Sequence, residues 1–491
     1  MKKLNPIICV ILLISSLQFT GCGSDGCGKN KTNPLGKTSV LIEAKIDDGV
    51  VFCTTTITLF NSSDNVISSV PFVIYSPEEN ADGKKSDKKD DESAKLEKKS
   101  DDFRQNAEVL KVSSGGKDLK FSVFETKTIP SPGTCGFTNA VKTEAFLSDE
   151  VYPEESAEIT IQTALVLGRN SLLHNRPNDD EIFLARFYPI LPALGKNGFY
   201  DFPECDFYDG FFSEVAFITL KMEVAGEYSV LCGGECMRTE TGKNSTSYTY
   251  KADNFAEAAV LLYKGAEVFI EEKNGIRYTC FYDKTDDFSS VLNEAENAAV
   301  YLSQKTDFIP FKNIGIALTD KCDKVGSFPG LILVPHDVGK AKDFQNDIFV
   351  AVAEQWFKHA ARIPVREYPY FVGGMAKAYL YSYLSTVNGT ESETVKSADY
   401  AEFCAIYGTN ALRDREKYLK SLNEYASAKE LDAAECGMSL SLNLAAACVT
   451  ESRTDAAIKR YFSCRAFVVS SPDELKSFVI EVFPEAENLL E

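Results

Sequence analysis

The sequence has no strongly basic segment, which limits the partners that the protein can take. It contains 52 lysine and arginine residues against 72 aspartate and glutamate residues, and its formal net charge is −20. A nucleic-acid-binding protein needs clustered basic side chains to displace counterions from phosphates. The shortage of such clusters excludes nucleic acid as a partner, while the acidic excess favours solubility.

Motifs of several enzyme classes are also missing. No glycine-rich phosphate-binding loop is present, and no serine lies in a Gly-x-Ser-x-Gly turn. Histidine is scarce, since only His174, His336 and His359 occur in the chain. A site built on several imidazoles therefore has few residues to draw on.

The amino terminus has the features of an export signal. Lys2 and Lys3 precede an apolar run at residues 7–17 that is too short for an ordinary membrane span. Phe19-Thr20-Gly21-Cys22 follows and resembles the lipobox of bacterial lipoproteins, in which the signal is cut before a lipid-modified cysteine. We therefore expect a signal peptide at 1–21, lipidation of Cys22, a tether at 22–37 and a location on the outer face of the cell membrane. An uncleaved anchor and an ordinary secretory signal are the alternatives.

The remaining cysteines do not have the spacing of a small disulfide scaffold. Cys232 and Cys236 flank a Gly-Gly turn and are close enough in sequence to form a bridge. A zinc site at these cysteines would need two more ligands, and no such pair is visible. A disulfide or two free thiols is therefore expected rather than a metal site.

Apolar and polar residues alternate from residue 38 to about residue 250, with turn residues between the runs. In the first run, every second residue is apolar, at Val40, Ile42, Ala44 and Ile46. In the second run, every second residue is predicted to face the core, at Val51, Cys53, Thr55, Ile57 and Leu59. A period of two predicts strands with one face buried. Residues 38–250 are therefore predicted to form an N-terminal antiparallel β-sheet domain.

One segment within this region does not fit a folded strand. Residues 78–102 contain ten acidic and seven basic residues and almost no apolar side chains. Such a segment cannot offset its ordering entropy by burial. We expect a charged, disordered insertion at 77–105, either as a solvated loop or as a protein-contact loop.

After residue 250 the pattern changes to mixed helix and strand. Helical spacing from Val291 to Leu302 predicts a helix capped by Ser289 or Ser290. Strands are expected at 313–318 and 328–334, helices at 347–361 and 374–384, and further helices from residue 401. The chain as a whole is predicted to be a multidomain α+β protein.

Several short phrases occur in a characteristic order along the chain. They are Phe60-Asn61-Ser62-Ser63-Asp64, Val70-Pro71-Phe72, Arg186 to Leu191, Phe211 to Ala216, Gly326 to Leu331 and Gln355-Trp356-Phe357. Their order and spacing resemble the membrane alanyl aminopeptidase family of gluzincin zinc metallopeptidases. The resemblance implies an N-terminal β domain and, at 251–491, a thermolysin-like domain.

The metal motif of that family is His-Glu-x-x-His, followed after 18 residues by Glu. Histidines at i and i+4 share a helix face and converge on one zinc ion, and the glutamate between them activates water. The alignment on Gln355-Trp356-Phe357 places Val350 and Glu354 at the histidines, Ala351 at the catalytic glutamate and Gly373 at the carboxylate ligand. Valine, alanine and glycine side chains have no donor atom, so we expect no bound zinc and no other cofactor.

Two further positions of the family's site are also replaced according to the resemblance. Ser327 stands where the family has the glutamate that holds the substrate's free amine, and Ala434 stands where it has the transition-state tyrosine. The histidines do not clearly supply a substitute. His336 either approaches the former cleft or lies on the surface, His359 is predicted to face away from Glu354, and His174 is predicted to be exposed in the β domain.

These replacements predict a catalytically inactive, aminopeptidase-like surface lipoprotein. It would act as a binding module for a peptide or protein in the cleft between the domains and would contact the membrane through its lipid. Two alternatives remain open. One is an active metallo-aminopeptidase with a non-standard metal site that uses Glu354 and His336, and the other is a structural component of a cell-envelope assembly.

Overall fold

The structure, a computed structural model, describes most of the chain beyond residue 36. The described residues are 37–47, 49–77, 107–130, 137–167, 180–201, 212–284, 286–337, 344–448, 451–470, 474 and 477. The predicted signal peptide, Cys22, nearly all of the tether, the charged insertion beyond residue 77 and His174 lie outside these ranges. Those features stay predictions from the sequence.

The largest sheet has eight strands, which are numbered here in chain order. Their spatial order is β14 (Glu235–Thr241), β15 (Ser245–Phe255), β12 (Ala216–Ala225), β1 (Ser39–Asp47), β2 (Val50–Phe60), β8 (Ser156–Val166), β4 (Ala107–Ser114) and β5 (Lys117–Asp118). Neighbouring strands are antiparallel except for β1 and β12, which are parallel. This pair differs from the predicted antiparallel pattern because alternation of side chains carries no information about strand direction.

Strand β2 shows how the alternating sequence produces this sheet. The side chains of Val51, Cys53, Thr55, Ile57 and Leu59 are all buried, whereas the residues between them are half-buried or exposed. These are the inward positions that the period of two predicts, so the prediction is confirmed for this strand. Burial of branched side chains along one face holds β2 in register between β1 and β8.

Smaller sheets complete the β-rich region. They consist of β3 (Ile67–Pro77), β7 (Phe137–Val151) and β6 (Phe121–Pro130); of β13 (Tyr228–Cys232), β16 (Ala259–Lys264) and β9 (Glu181–Ala185); and of β10 (Leu194–Gly195) with β11 (Gly198–Phe199). The predicted boundary at residue 250 falls inside β15. Strand β16 lies beyond that boundary but pairs with β9 on the earlier side.

A five-stranded mixed sheet begins the second part of the chain. Its spatial order is β17 (Glu267–Lys273), β18 (Ile276–Tyr282), β19 (Asn313–Thr319), β21 (Leu331–Pro335) and β20 (Gly326–Phe328). Strands β18, β19 and β21 are parallel neighbours. Their carboxyl ends therefore meet at one edge of the sheet.

Six α-helices accompany this sheet in the described part of the chain. They are α1 (Phe288–Thr306), α2 (Phe344–Glu354), α3 (Pro369–Val387), α4 (Gly389–Tyr407), α5 (Ala428–Cys448) and α6 (Glu451–Arg465), with short 3-10 turns at Ala411–Arg413, Arg415–Lys417 and Leu422–Glu424. The N-cap of α1 is Asp287, whose carboxylate accepts from the Ser290 backbone amide. The predicted serine caps are wrong because Ser289 and Ser290 already lie inside the first turn.

Helix α2 continues directly into a π-helix at Gln355–Ala360. The sole tryptophan of the sequence, Trp356, is fully buried there. Its indole N–H donates to the Thr306 hydroxyl and to the Phe308 carbonyl, both at 3.0 Å. These bonds fix the π-helix against the end of α1.

The arrangement confirms the predicted α+β class. A β-rich part is followed by a mixed sheet with helices, and residues 35–491 belong to one compact unit. None of the helices in the described ranges combines the length and the apolar character that a membrane span requires.

Candidate functional site

The four positions that the resemblance gives to the metal motif lie on two neighbouring helices. Helix α2 carries Val350, Ala351 and Glu354, and helix α3 carries Gly373. Ala351 is buried, whereas Val350 and Glu354 are partly buried. The Glu354 carboxylate accepts a hydrogen bond of 3.1 Å from Lys358 one turn further on, so its charge already has a partner.

Gly373 is covered by a carboxylate from another helix. A Cβ atom built on Gly373 would lie 2.1 Å from Oε2 of Glu435, a residue of α5. Atoms that are not bonded cannot approach this closely, so any side chain at position 373 would displace Glu435. A carboxylate therefore lies against the position that the resemblance gives to the carboxylate ligand, but it is supplied by α5 rather than α3.

The Glu435 side chain is unusual for a partly buried acid. Within the described ranges it has no hydrogen-bond partner and no ion pair. Burial raises the pKa of Glu435 to about 8, and Lys377 only partly opposes this shift, while Asp432 and Glu354 add to it. The carboxyl group is therefore poorly satisfied by its surroundings.

Ser327 belongs to a buried polar network rather than to an open subsite. Its hydroxyl donates to the Ala351 carbonyl at 3.0 Å and accepts from the Gln355 amide at 2.8 Å. Gln355 also accepts from the Gly330 amide at 2.9 Å and donates to the Phe328 carbonyl at 3.0 Å. These bonds tie strand β20 and its turn to the end of helix α2.

His359 lies in the π-helix at residues 355–360, next to Ser327. Its orientation away from Glu354 stays a prediction. Nε2 of His359 lies 3.4 Å from the Ser327 hydroxyl, and the ring is buried. Burial holds the pKa of His359 well below its usual range, so this imidazole is neutral near pH 7.

Gly233, in the β-rich part of the chain, packs closely against the turn that follows strand β20. It lies in the turn between β13 and β14, and a Cβ on Gly233 would lie 2.2 Å from the Pro329 carbonyl oxygen. Only glycine permits this approach to the turn between β20 and β21. The two flanking cysteines are free thiols, with Cys232 buried and Cys236 exposed.

Ala434 is fully buried on α5, one residue before Glu435. Cys436, which follows Glu435, lies close to Asp399 and Glu402 of helix α4, and the three form a cluster of metal-type side chains. The Lys377 ammonium group donates to the Cys436 sulfur at 2.9 Å and lies 3.3 Å from an Asp399 oxygen. The Lys377 ammonium group, which cannot itself bind a metal ion while protonated, would have to leave these two side chains before a metal ion could bind there.

His336 lies outside the motif region and is held by carboxylates. Its Nδ1 lies 2.9 Å from an Asp286 oxygen, and its Nε2 lies 3.3 Å from a Glu181 oxygen. The hydrogen bond with Glu181 raises the pKa of His336 to about 9, against the effect of burial, and Asp286 contributes to the increase. His336 is thus neither a plain surface residue nor a partner of Glu354.

The side chains at the four motif positions do not fit a zinc ion. Zinc needs three or four protein ligands, and these positions supply only the carboxylate that Lys358 contacts. In the described part of the chain, two groups of three metal-type side chains occur, namely Glu181, Asp320 and His336, and Asp399, Glu402 and Cys436. Neither group contains a motif residue.

The order and packing of the elements are similar to those of solved zinc peptidases. An M1 zinc metallopeptidase from Deinococcus radiodurans matches with a TM-score of 0.63 over 92% of this chain and 92% of that chain. The chain has the fold of the M1 zinc metallopeptidases. The sequence identity is 12%, so the similarity concerns the fold alone.

Two further M1 structures match to a similar extent. A variant of a Deinococcus radiodurans enzyme bound to a Tyr-Ser-Ala substrate has a TM-score of 0.60 at 13% identity, over 92% of each chain. A two-domain M1 zinc metallopeptidase variant bound to L-arginine has a TM-score of 0.62 at 13% identity, over 92% of this chain and 93% of that chain. No protein-family model and no curated protein matches the chain.

Sequence reasoning about this M1 fold missed Glu435. The residue follows Ala434, the position that the resemblance gives to the transition-state tyrosine. No local pattern indicates that its carboxylate lies over Gly373, because the two residues are 62 positions apart. The bare glycine at position 373 was the only available signal, since it leaves room for a side chain from elsewhere.

Proposed function

We propose that this protein binds peptides and does not hydrolyse them. The observation that carries the proposal is the Glu435 carboxylate over Gly373, at the position that the resemblance gives to a zinc ligand. An acidic group that lacks a partner and has a raised pKa gains most from a bound cation. A protonated peptide amino terminus has the required charge and N–H donors.

The charges around Glu435 support a peptide with a free amino terminus. Glu354 and Asp432 add negative potential at Glu435, whereas Lys358 and Lys377, which are paired with other side chains, oppose it only in part. One of the similar M1 structures holds a Tyr-Ser-Ala substrate. A short peptide is therefore a reasonable ligand for the corresponding region of this chain.

The replaced motif residues support the absence of hydrolysis. Val350, Ala351 and Gly373 have no side-chain atom that binds a metal or accepts a proton. Ser327 is occupied by its bonds with Ala351 and Gln355. A water molecule at these positions therefore lacks the Lewis acid that zinc supplies and the general base that a glutamate at position 351 would supply.

Calorimetric titration and a hydrolysis assay test this proposal together. We expect Tyr-Ser-Ala to bind and its N-acetylated form to bind at least about tenfold more weakly, which corresponds to about 1.4 kcal/mol. Glu435→Gln, which keeps size but not charge, should weaken Tyr-Ser-Ala binding by a similar factor. Glu416→Gln, at an exposed site, is the matched control and should bind as the wild type does.

Hydrolysis results separate the alternatives. We expect no release of amino acids from aminoacyl reporters in the presence of added zinc. Zinc-dependent cleavage that a chelator abolishes would overturn the proposal in favour of an active peptidase. Equal binding of the free and acetylated peptides, or no binding of either, would also contradict it.

We further propose that Cys22 carries a lipid that holds the protein on the outer face of the cell membrane. The support is the apolar run at residues 7–17 and the small residues before Cys22. Cells grown with an alkyne-labelled fatty acid should incorporate the label into the wild type and not into Cys22→Ser. Cys27→Ser is a matched control that should keep the label. Labelling of Cys22→Ser would contradict the proposal.

A further inference from the structure

Three polar side chains follow the carboxyl ends of three parallel strands. Asp286 lies just beyond β18, Asp320 directly follows β19, and His336 directly follows β21. Strands β18, β19 and β21 are neighbours in one sheet, so their ends meet at one edge. Crevices at the carboxyl ends of parallel strands are common ligand sites. Glu181, the first residue of β9, reaches this edge from a different sheet.

The side chains converge on a small volume. Nε2 of His336 lies 3.3 Å from a Glu181 oxygen and 3.9 Å from an Asp320 oxygen. The ligand-type atoms of Glu181, Asp320 and His336 all lie within 4.8 Å of one another. Two ligands about 2.1 Å from a tetrahedral zinc ion are separated by about 3.4 Å. The observed separations therefore need only small side-chain movements to meet around one ion.

Two of these side chains, His336 and Glu181, are oriented by a further contact. The opposite ring nitrogen of His336 faces both oxygens of Asp286, at 2.9 and 3.0 Å. The other Glu181 oxygen accepts from the Thr319 hydroxyl and, at 3.2 Å, from the Asp320 amide. In protein zinc sites, a carboxylate commonly accepts a hydrogen bond from the other ring nitrogen of a histidine ligand. Carboxylate ligands are likewise held by a hydrogen bond to their second oxygen.

We propose that Glu181, Asp320 and His336 bind a divalent transition-metal ion, with zinc as the expected ion. One imidazole and two carboxylates suit zinc better than calcium or magnesium, which prefer oxygen ligands alone. Water completes the coordination, since the Asp320 side chain is 82% exposed while that of Glu181 is only 8% exposed. The site therefore has a buried wall and an open edge.

Zinc at this site would join parts of the chain that are distant in sequence. Glu181 belongs to a three-stranded sheet of the β-rich part, whereas Asp320 and His336 belong to the five-stranded sheet. Without a metal the same groups form hydrogen bonds through the imidazole N–H groups, and zinc would take the place of the proton on Nε2. Binding should therefore stabilise the folded protein in proportion to zinc concentration.

Zinc titration of the chelator-treated protein tests the proposal. We expect one zinc ion per chain by calorimetry and a higher melting temperature with zinc. His336→Ala should weaken zinc binding at least about a hundredfold, and Asp320→Asn at least about tenfold. Asp323→Asn removes the same charge from an exposed position three residues away and should bind zinc as the wild type does.

Cobalt(II) absorption identifies which side chains hold the metal. Glu181, Asp320 and His336 offer only nitrogen and oxygen, so the cobalt spectrum should lack the intense thiolate band that a site at Cys436 would give. Asp320→Asn changes an exposed residue and should fold, which keeps the test valid if His336→Ala does not. Absence of zinc binding in the wild type, unchanged binding by Asp320→Asn, or a thiolate band would overturn the proposal.

Discussion

Replacing Gln355 with alanine should lower the free energy of unfolding by about 3–5 kcal/mol. The Gln355 side chain is fully buried and bonds with the Gly330 amide, the Ser327 hydroxyl and the Phe328 carbonyl. The substitution leaves a buried amide and a buried carbonyl without that partner, at about 1–3 kcal/mol each, and it creates a cavity. The loss is large because one side chain links the π-helix at residues 355–360 to strand β20 and the turn that follows it.

Denaturant unfolding followed by tryptophan fluorescence measures this effect. Trp356 is the sole tryptophan and adjoins Gln355, so its emission reports directly on this region. Gln355→Met, which keeps the volume but makes no such bonds, separates cavity formation from bond loss and should still cost about 2 kcal/mol. Lys358→Ala, which breaks a half-exposed ion pair, should cost less than about 1 kcal/mol. A loss below about 1 kcal/mol in Gln355→Ala would show that the network contributes little.

Glu435 should make the protein less stable as the pH rises. Its pKa is raised from 4.5 to about 8 in the folded protein, chiefly by burial. The folded state therefore favours the protonated carboxyl, and stability is full below pH 4.5 and falls progressively between about pH 4.5 and pH 8. Each pKa unit corresponds to about 1.4 kcal/mol, and partial exposure of the side chain reduces the total. We therefore expect the free energy of unfolding to be about 2 kcal/mol lower at pH 9 than below pH 4.5.

Glu435→Gln removes the ionising group and should reverse this loss. The difference in unfolding free energy between the variant and the wild type should rise in favour of the variant from pH 5 to pH 9 and then level off. Glu416→Gln, at an exposed position, should change stability by less than about 0.5 kcal/mol at every pH. A constant difference between Glu435→Gln and the wild type across this range would contradict the proposed environment of Glu435.

Much of the fold could be predicted from local sequence patterns. The alternation in β2 and the helical spacing from Val291 to Leu302 each identify the element and its buried face. Strand pairing was less accessible, because β1 and β12 meet only after an excursion of more than 160 residues. The N-cap of α1 was misplaced because both the aspartate and the serines are good caps, and the backbone decides between them.

The candidate site, like the fold, could be predicted from the sequence only in part. The alignment identified Val350, Ala351 and Gly373 as positions without donor atoms, and this follows from residue identity alone. The alignment could not show the Glu435 carboxylate over Gly373. It also could not show the π-helix at residues 355–360 or the contact between His359 and Ser327.

The sequence by itself determined which side chains can act as metal ligands or acids, the class of most elements and the lack of donor atoms in the side chains of Val350, Ala351 and Gly373. These properties depend on single residues or on neighbours along the chain. The tertiary structure decided which distant groups meet, namely Glu435 with Gly373, and Glu181 with Asp320 and His336. Such contacts depend on how complete sheets and helices pack, and a local sequence pattern carries no information about that packing.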